Sequence, residues 1–155
     1  MYISAPSENQ QLHAWYAKLL STGFPGKMLV MYVHEPSLLL VLARGKSINT
    51  TLPSFFSRLP HLLRRNNFKQ EFINREIELL NEGCVISRTN SRSMLGSMNA
   101  ITVNIEMSCR MSPLYDLINL DKIEDDYLDW LTFDAASGHY LRTKDYWVEK
   151  GVVDL

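Results

Sequence analysis

Residues 88–99 hold an unusual density of hydrogen-bonding groups. Arg88, Thr89, Asn90, Ser91, Arg92, Ser93, Ser97 and Asn99 surround a single glycine, Gly96. Most of these types have a local reason to sit in a turn. Asn and Ser bond their own backbone, and Gly tolerates positive φ. Arg92 has no such reason, because a guanidinium does no turn chemistry. Its planar fork fits a carboxylate or a phosphate. Arg92, with Arg88, Asn90, Ser93 and Asn99 beside it, therefore forms one candidate binding group. Arg58, His61 and Arg65 recur at helical spacing and form a second, flanked by Arg64 and Lys69. Together they would suit an anion or a nucleic-acid backbone. The competing reading is that Arg92 pairs with a carboxylate or a helix C-terminus, and that the 58–65 charges are a solvated face.

The familiar catalytic constellations are missing. No glycine-rich phosphate loop is present, and His13, His34, His61 and His139 are scattered. No His/Cys cluster has metal-ligand spacing, so neither a metal nor another cofactor is expected. Asp125 and Asp129 are four residues apart, with Asp121 and Glu124 one turn earlier. That group reads as an acidic helix start rather than as a cation site.

The elements that would position these groups follow from periodicity. Ser7 and Gln10 form a capping pair, and Leu12, Trp15, Tyr16, Leu19 and Leu20 then recur at helical spacing up to Gly23, predicting a first helix. Residues 28–33 and 38–43 are unbroken apolar runs around a short polar break, predicting a hairpin in the middle of a covered sheet. Thr51 would cap a helix with Pro53 in its first turn, and Pro60 would kink or split it. Asn66-Asn67 is the turn to a second helix over 69–81, ended by Gly83. Residues 84–88 and 101–107 read as two further strands, with 89–99 as the connection between them. In that connection Met94, Leu95 and Met98 would face the core, Gly96 would supply a positive φ or a close backbone approach, and Asn99 would end a short turn.

This order predicts an α+β domain over residues 1–110, its mostly antiparallel four-stranded sheet covered by helices. Residues 111–155 read as an acidic, helical C-terminal extension packed on that domain. Ser112-Pro113 and the pair Asp121/Glu124 open two helices, 135–139 is a loop, and a last short helix runs from Thr143 to about Trp147. The charge is split to match. Residues 1–110 carry 12 Lys and Arg against 7 Asp and Glu, a balance of +5, whereas residues 111–155 carry 4 against 10, a balance of −6. The acidic part can neutralise the basic part by packing on it. With 155 residues and 46% apolar content the chain can bury a sizeable core. Its start lacks a basic, apolar leader, and no run is long enough to span a bilayer. The expectation is a cytoplasmic protein with Cys84 and Cys109 reduced.

Trp15-Tyr16-Ala17, the hairpin with Glu35, Leu38 and Leu39, and Thr89-Asn90-Ser91-Arg92-Ser93-Met94-Leu95-Gly96-Ser97-Met98-Asn99 occur in an order that resembles a family of small bacterial proteins. That family is catalogued only as a domain of unknown function. Its signature is Thr-Asn-Asn-Arg-Ser-Val-Leu-Gly-Ser-Met-Asn-Asp, and the resemblance covers about residues 12–107. Ser91 replaces the second Asn, and Ala100 stands where the family has an acidic residue. The resemblance implies a fold and a locus, not an activity.

The function expected first is a small binding or regulatory module that recognises another protein, in the manner of an antitoxin, inhibitor or immunity protein. A metal-independent ribonuclease-like toxin is the alternative, with His61 or His34 as general base and Arg92 steadying the phosphate. Nucleic-acid binding by the basic body is the third.

Overall fold

The structure is a computed structural model and describes residues 14–35, 37–82, 85–87, 92–134 and 138–154. Its centre is a three-stranded antiparallel sheet built from β1 (Ala14–Ser21), β2 (Met28–His34) and β3 (Leu40–Arg44). A three-residue strand, β4 (Val85–Ser87), lies parallel to β1 and pairs with Ala14–Tyr16, giving the order β3-β2-β1-β4. Among the described residues five helices complete the α+β fold: α1 (Ile48–Arg65), α2 (Gln70–Glu82), α3 (Arg92–Arg110), α4 (Leu120–Leu128) and α5 (Thr143–Glu149). A small hairpin, β5 (Leu131–Asp134) and β6 (His139–Arg142), precedes α5.

Two assignments differ from the periodic reading. Where a first helix is expected up to Gly23, Ala14–Ser21 form strand β1, the Ser7/Gln10 cap and Leu12 lying outside the described residues. The strand expected over 101–107 is the second half of α3. The four mostly antiparallel strands drawn from the sequence are therefore not the ones that form. Ile101, Val103, Ile105 and Met107 alternate with polar residues as a half-buried strand would. In α3 the same residues serve two faces of a helix instead. The last third is also less helical than expected. Residues 115–117 form a single 3₁₀ turn, Asn119 rather than Asp121 caps α4, and residues 131–142 contain the β5–β6 hairpin.

The β2–β3 hairpin forms as its composition demands. Leu29 to Val33 and Leu40 to Ala43 are almost wholly buried, each large side chain contributing about 1.5–3 kcal/mol by leaving water. Both faces of β2 are covered. Val30 and Tyr32 join Phe55, Leu59, Leu62, Phe72 and Trp147 on one side of the sheet, under α1, α2 and α5. Leu29, Met31 and Val33 meet Met98, Ile101, Ile105 and Cys109 of α3 on the other. Helices α1 and α3 thus lie on opposite faces.

Helix α1 begins one turn earlier than Thr51. Ser47 is its cap, its Oγ accepting from the Thr50 N–H at 3.2 Å. Thr51 is buried and bonds the Tyr32 hydroxyl at 2.6 Å. The helix continues through Pro60, which is buried and lacks the N–H for an intrahelical bond. Asn66 caps it and Asn67 takes φ +63°, making the expected turn. Gly23, expected to end a helix, instead supplies φ +85° in the β1–β2 turn. The C-terminal segment is stitched to the α1–α2 turn, with Lys69 N–H donating to Val152 O at 2.8 Å and Asp154 N–H to Asn67 O at 2.7 Å.

Candidate functional site

Residues 92–99 of the polar stretch are the first turns of a nineteen-residue helix rather than a strand-to-strand connection, and Thr89 and Ser91 lie outside the described residues. Arg92 and Ser93 are the first two residues of α3; Arg88 and Asn90 lie outside the described residues. Met98 points into the core as expected, but Leu95 is exposed. Asn99 does not end a turn. It stands in the second turn of α3, where its Oδ1 accepts a hydrogen bond from Lys18 Nζ of β1 at 2.9 Å. Gly96 is helical and takes no positive φ. A Cβ built there would meet nothing within 4 Å.

This helix head walls a hollow of about 500 Å³. Ala17 and Leu19 of β1, Val30 of β2 and Ile48 of α1 form one side, and Leu95 and Met98 of α3 form the other. Lys18, Lys46 and Ser47 complete the lining. Three consecutive β1 residues, Ala17, Lys18 and Leu19, take part, just past Tyr16 where the described pairing with β4 ends.

The second candidate group has a different fate. Arg58 Nη2 donates to Asp121 Oδ1 at 2.8 Å and to Glu124 Oε1 at 2.7 Å. Arg65 donates to Glu124 at 3.1 Å and to Asp125 at 3.0 Å. His61 stands 3.9 Å from Asp121 and is mostly exposed. These charges are therefore neither a solvated face nor an open anion site. They are the inner half of an ion cluster closed by α4, as the opposite charges of the two segments allow. Burial pushes the Glu124 carboxyl up, against the pull of Arg58, the Leu42 N–H and Arg65. Neighbouring Asp125, Glu124 and Asp121 raise the Arg65 guanidinium despite its partial burial, which acts the other way.

His34 is fully enclosed, its Nδ1 2.7 Å from Ser37 Oγ and its ring against Trp15 and Trp147. His61 lies on α1, and Arg92 is the first residue of α3. Among the described residues, no group of three His, Cys, Asp or Glu is placed to hold a metal. Cys109 is a buried free thiol, whereas Cys84 falls outside the described residues. No described helix is long and apolar enough to cross a membrane.

Sequence reasoning passed over the outer side of α3. Val103, Met107 and Met111 are 59%, 55% and 85% exposed, in line with exposed Gly96 and Ala100. At 3.6 residues per turn these five share one stripe, roughly opposite the buried Met98, Ile101, Ile105 and Cys109. Leu114 and Leu117 extend the apolar surface beyond the helix end. The signal was visible as the second apolar period in 96–111, which a strand assignment absorbed.

Residues 3–140 match the family model of a domain of unknown function, DUF6933, and the chain belongs to that family. The matched span takes in α4 and its ion cluster as well as the head of α3. No curated protein matches the chain.

Proposed function

We propose that this DUF6933 chain is a small cytoplasmic binding module that recognises another protein through the outer stripe of α3. The observation that carries this reading is the exposure of Val103, Met107 and Met111 on the face away from the core. A helix packed on one side only gains nothing from apolar side chains on its other side. Contiguous exposed apolar surface of this kind marks interaction sites, and methionine suits them because its side chain adapts to the partner. Gly96 supports the reading. It costs helix stability relative to alanine and has open space at its Cβ position, so close approach of a partner backbone is the use left for it. We read 89–99 as the signature of a bacterial family, and exposed Gly96 within it as one end of this surface. The antitoxin-, inhibitor- or immunity-like class remains the expected role. In this reading the body spans residues 1–110, and the acidic 111–155 extension neutralises it more than it meets the partner. Arg58, Arg65 and the enclosed His34 lend the nuclease and nucleic-acid alternatives nothing.

The test is a pull-down from native cells with the tagged chain and its Met107→Glu variant, followed by size exclusion of the purified pair. A stoichiometric partner retained by the wild type and lost by the variant is expected. Elution of the chain alone at every salt concentration, or equal retention by the variant, overturns the reading.

A further inference from the structure

The hollow at the head of α3 faces away from the outer stripe, and its chemistry is different. Its walls are aliphatic: Ala17, Leu19, Val30, Ile48, Leu95 and Met98. Among the described residues its lining has no aromatic ring on which a nucleobase could stack. Its volume, about 500 Å³, falls within the range of small-molecule sites. The polar part of the lining is entirely cationic or neutral. Lys18 bonds the Asn99 amide, and among the described residues neither Lys18 nor Lys46 has a carboxylate partner. Ser47 opens α1, an eighteen-residue helix with no acidic residue in its first turn. The positive end of that helix dipole is therefore not neutralised from within the helix.

We infer that this hollow binds a carboxylate-headed aliphatic molecule, a medium-chain acyl carboxylate. The chain would lie along Ala17, Leu19, Val30, Leu95 and Met98. The carboxylate would sit between Lys18, Lys46 and the first turn of α1, where two cations and free helix N–H groups favour negative charge. A neutral alcohol of the same length gains the walls but not the head. Acetate gains the head but not the walls. The inference goes beyond protein recognition and uses a different face of α3.

The test titrates hexanoate, octanoate and decanoate, below their micelle concentrations, into the full chain. Decanol, acetate and inorganic phosphate serve as comparisons. Calorimetry and backbone amide shifts at Ala17, Leu19, Ile48 and Leu95 are read together. Saturable binding is expected, tightening about fourfold per added methylene until the hollow is full. Decanol should bind at least tenfold more weakly than decanoate. Lys46→Gln and Lys18→Gln, both on accessible side chains, should weaken decanoate several-fold and leave decanol unchanged. Met107→Glu should change none of these values, so a lost protein partner and a lost ligand are separate results. Four outcomes overturn the inference: no saturable shift with any chain, equal binding of decanol and decanoate, equal shifts with acetate or phosphate, or indifference to Lys46→Gln.

Discussion

The backbone N–H of Leu42 donates to Oε2 of Glu124 at 2.8 Å, across 82 residues of sequence. Leu42 lies on β3, the outermost strand on that side of the sheet, and the Glu124 side chain is wholly buried. One carboxylate thus caps an edge-strand amide with one oxygen and meets Arg58 and Arg65 with the other. Arg44 completes the seal by donating to Ile118 O at 2.7 Å. An open sheet edge invites pairing with other chains, and here α4 and the segment before it close it.

Glu124→Ala should be among the most destabilising single changes. It leaves the Leu42 amide without its acceptor and takes the buried carboxylate from Arg58 and Arg65, which keep only Asp121 and Asp125, a loss of about 3 kcal/mol. Glu124→Gln keeps an acceptor for Leu42 but not the charge, so its cost should be smaller. Urea unfolding measures both. A loss under about 1 kcal/mol for the alanine variant would show that the cluster does not hold α4 in place.

Glu76 gives stability a pH dependence. It is 4% exposed, its Oε1 lacks a partner, and burial pushes its carboxyl up from 4.5 to about 7. The folded state therefore prefers the protonated acid. That preference is fully present below the unfolded value near 4.5 and is lost as pH rises through about 7. The shift corresponds to at most about 3 kcal/mol. Glu76→Gln should melt higher than the wild type at pH 8, with the difference vanishing near pH 5. A constant difference between the two melting curves across that range contradicts this.

Two glycines should respond in opposite directions. Gly45 holds φ +154°, and a Cβ there would stand 2.5 Å from Thr51 Cγ2, so Gly45→Ala should cost about 1–3 kcal/mol. Gly96 is helical with open space around it, so Gly96→Ala should stabilise by about 0.5–1 kcal/mol. If Gly96 serves partner approach, that same variant should bind its partner more weakly while melting higher. Denaturation and pull-down on one preparation decide both.

Val103→Glu and Met107→Glu should leave the melting temperature almost unchanged, within about 0.5 kcal/mol, because both side chains already stand in water. A large loss of stability from either would place the stripe in the core.

The hairpin, α1 and α2 could be read from the chain because each depends on local pattern. The central hairpin strands are apolar throughout, and the α1 stripe through Phe55, Leu59 and Leu62 is regular. β1 misled because it is covered on both faces near Trp15 and Leu20 but exposed at Leu19, which erases the alternation a strand usually shows. Leu12, Trp15, Tyr16, Leu19 and Leu20 then happen to match a helix. α3 misled for the converse reason, since its second apolar face fills the positions that a one-sided helix leaves polar. Arg58 and Arg65 stand out in the sequence as a basic pair, but their partners lie about sixty residues downstream, beyond any local signal. Lys18 and Lys46 gave no sign of sharing a hollow, because only the fold brings β1 beside the entrance to α1.

The Leu42–Glu124 bond also sets an order of events at the ribosome. Synthesis proceeds from the N-terminus at about 5–20 residues per second, so the 82 residues between them take roughly 4–16 s to emerge. Throughout that interval the nascent chain can complete the β2–β3 hairpin but cannot cover its outer edge. The cell meets this protein first as an unsealed strand, and slow translation between Arg44 and Glu124 lengthens that exposure directly.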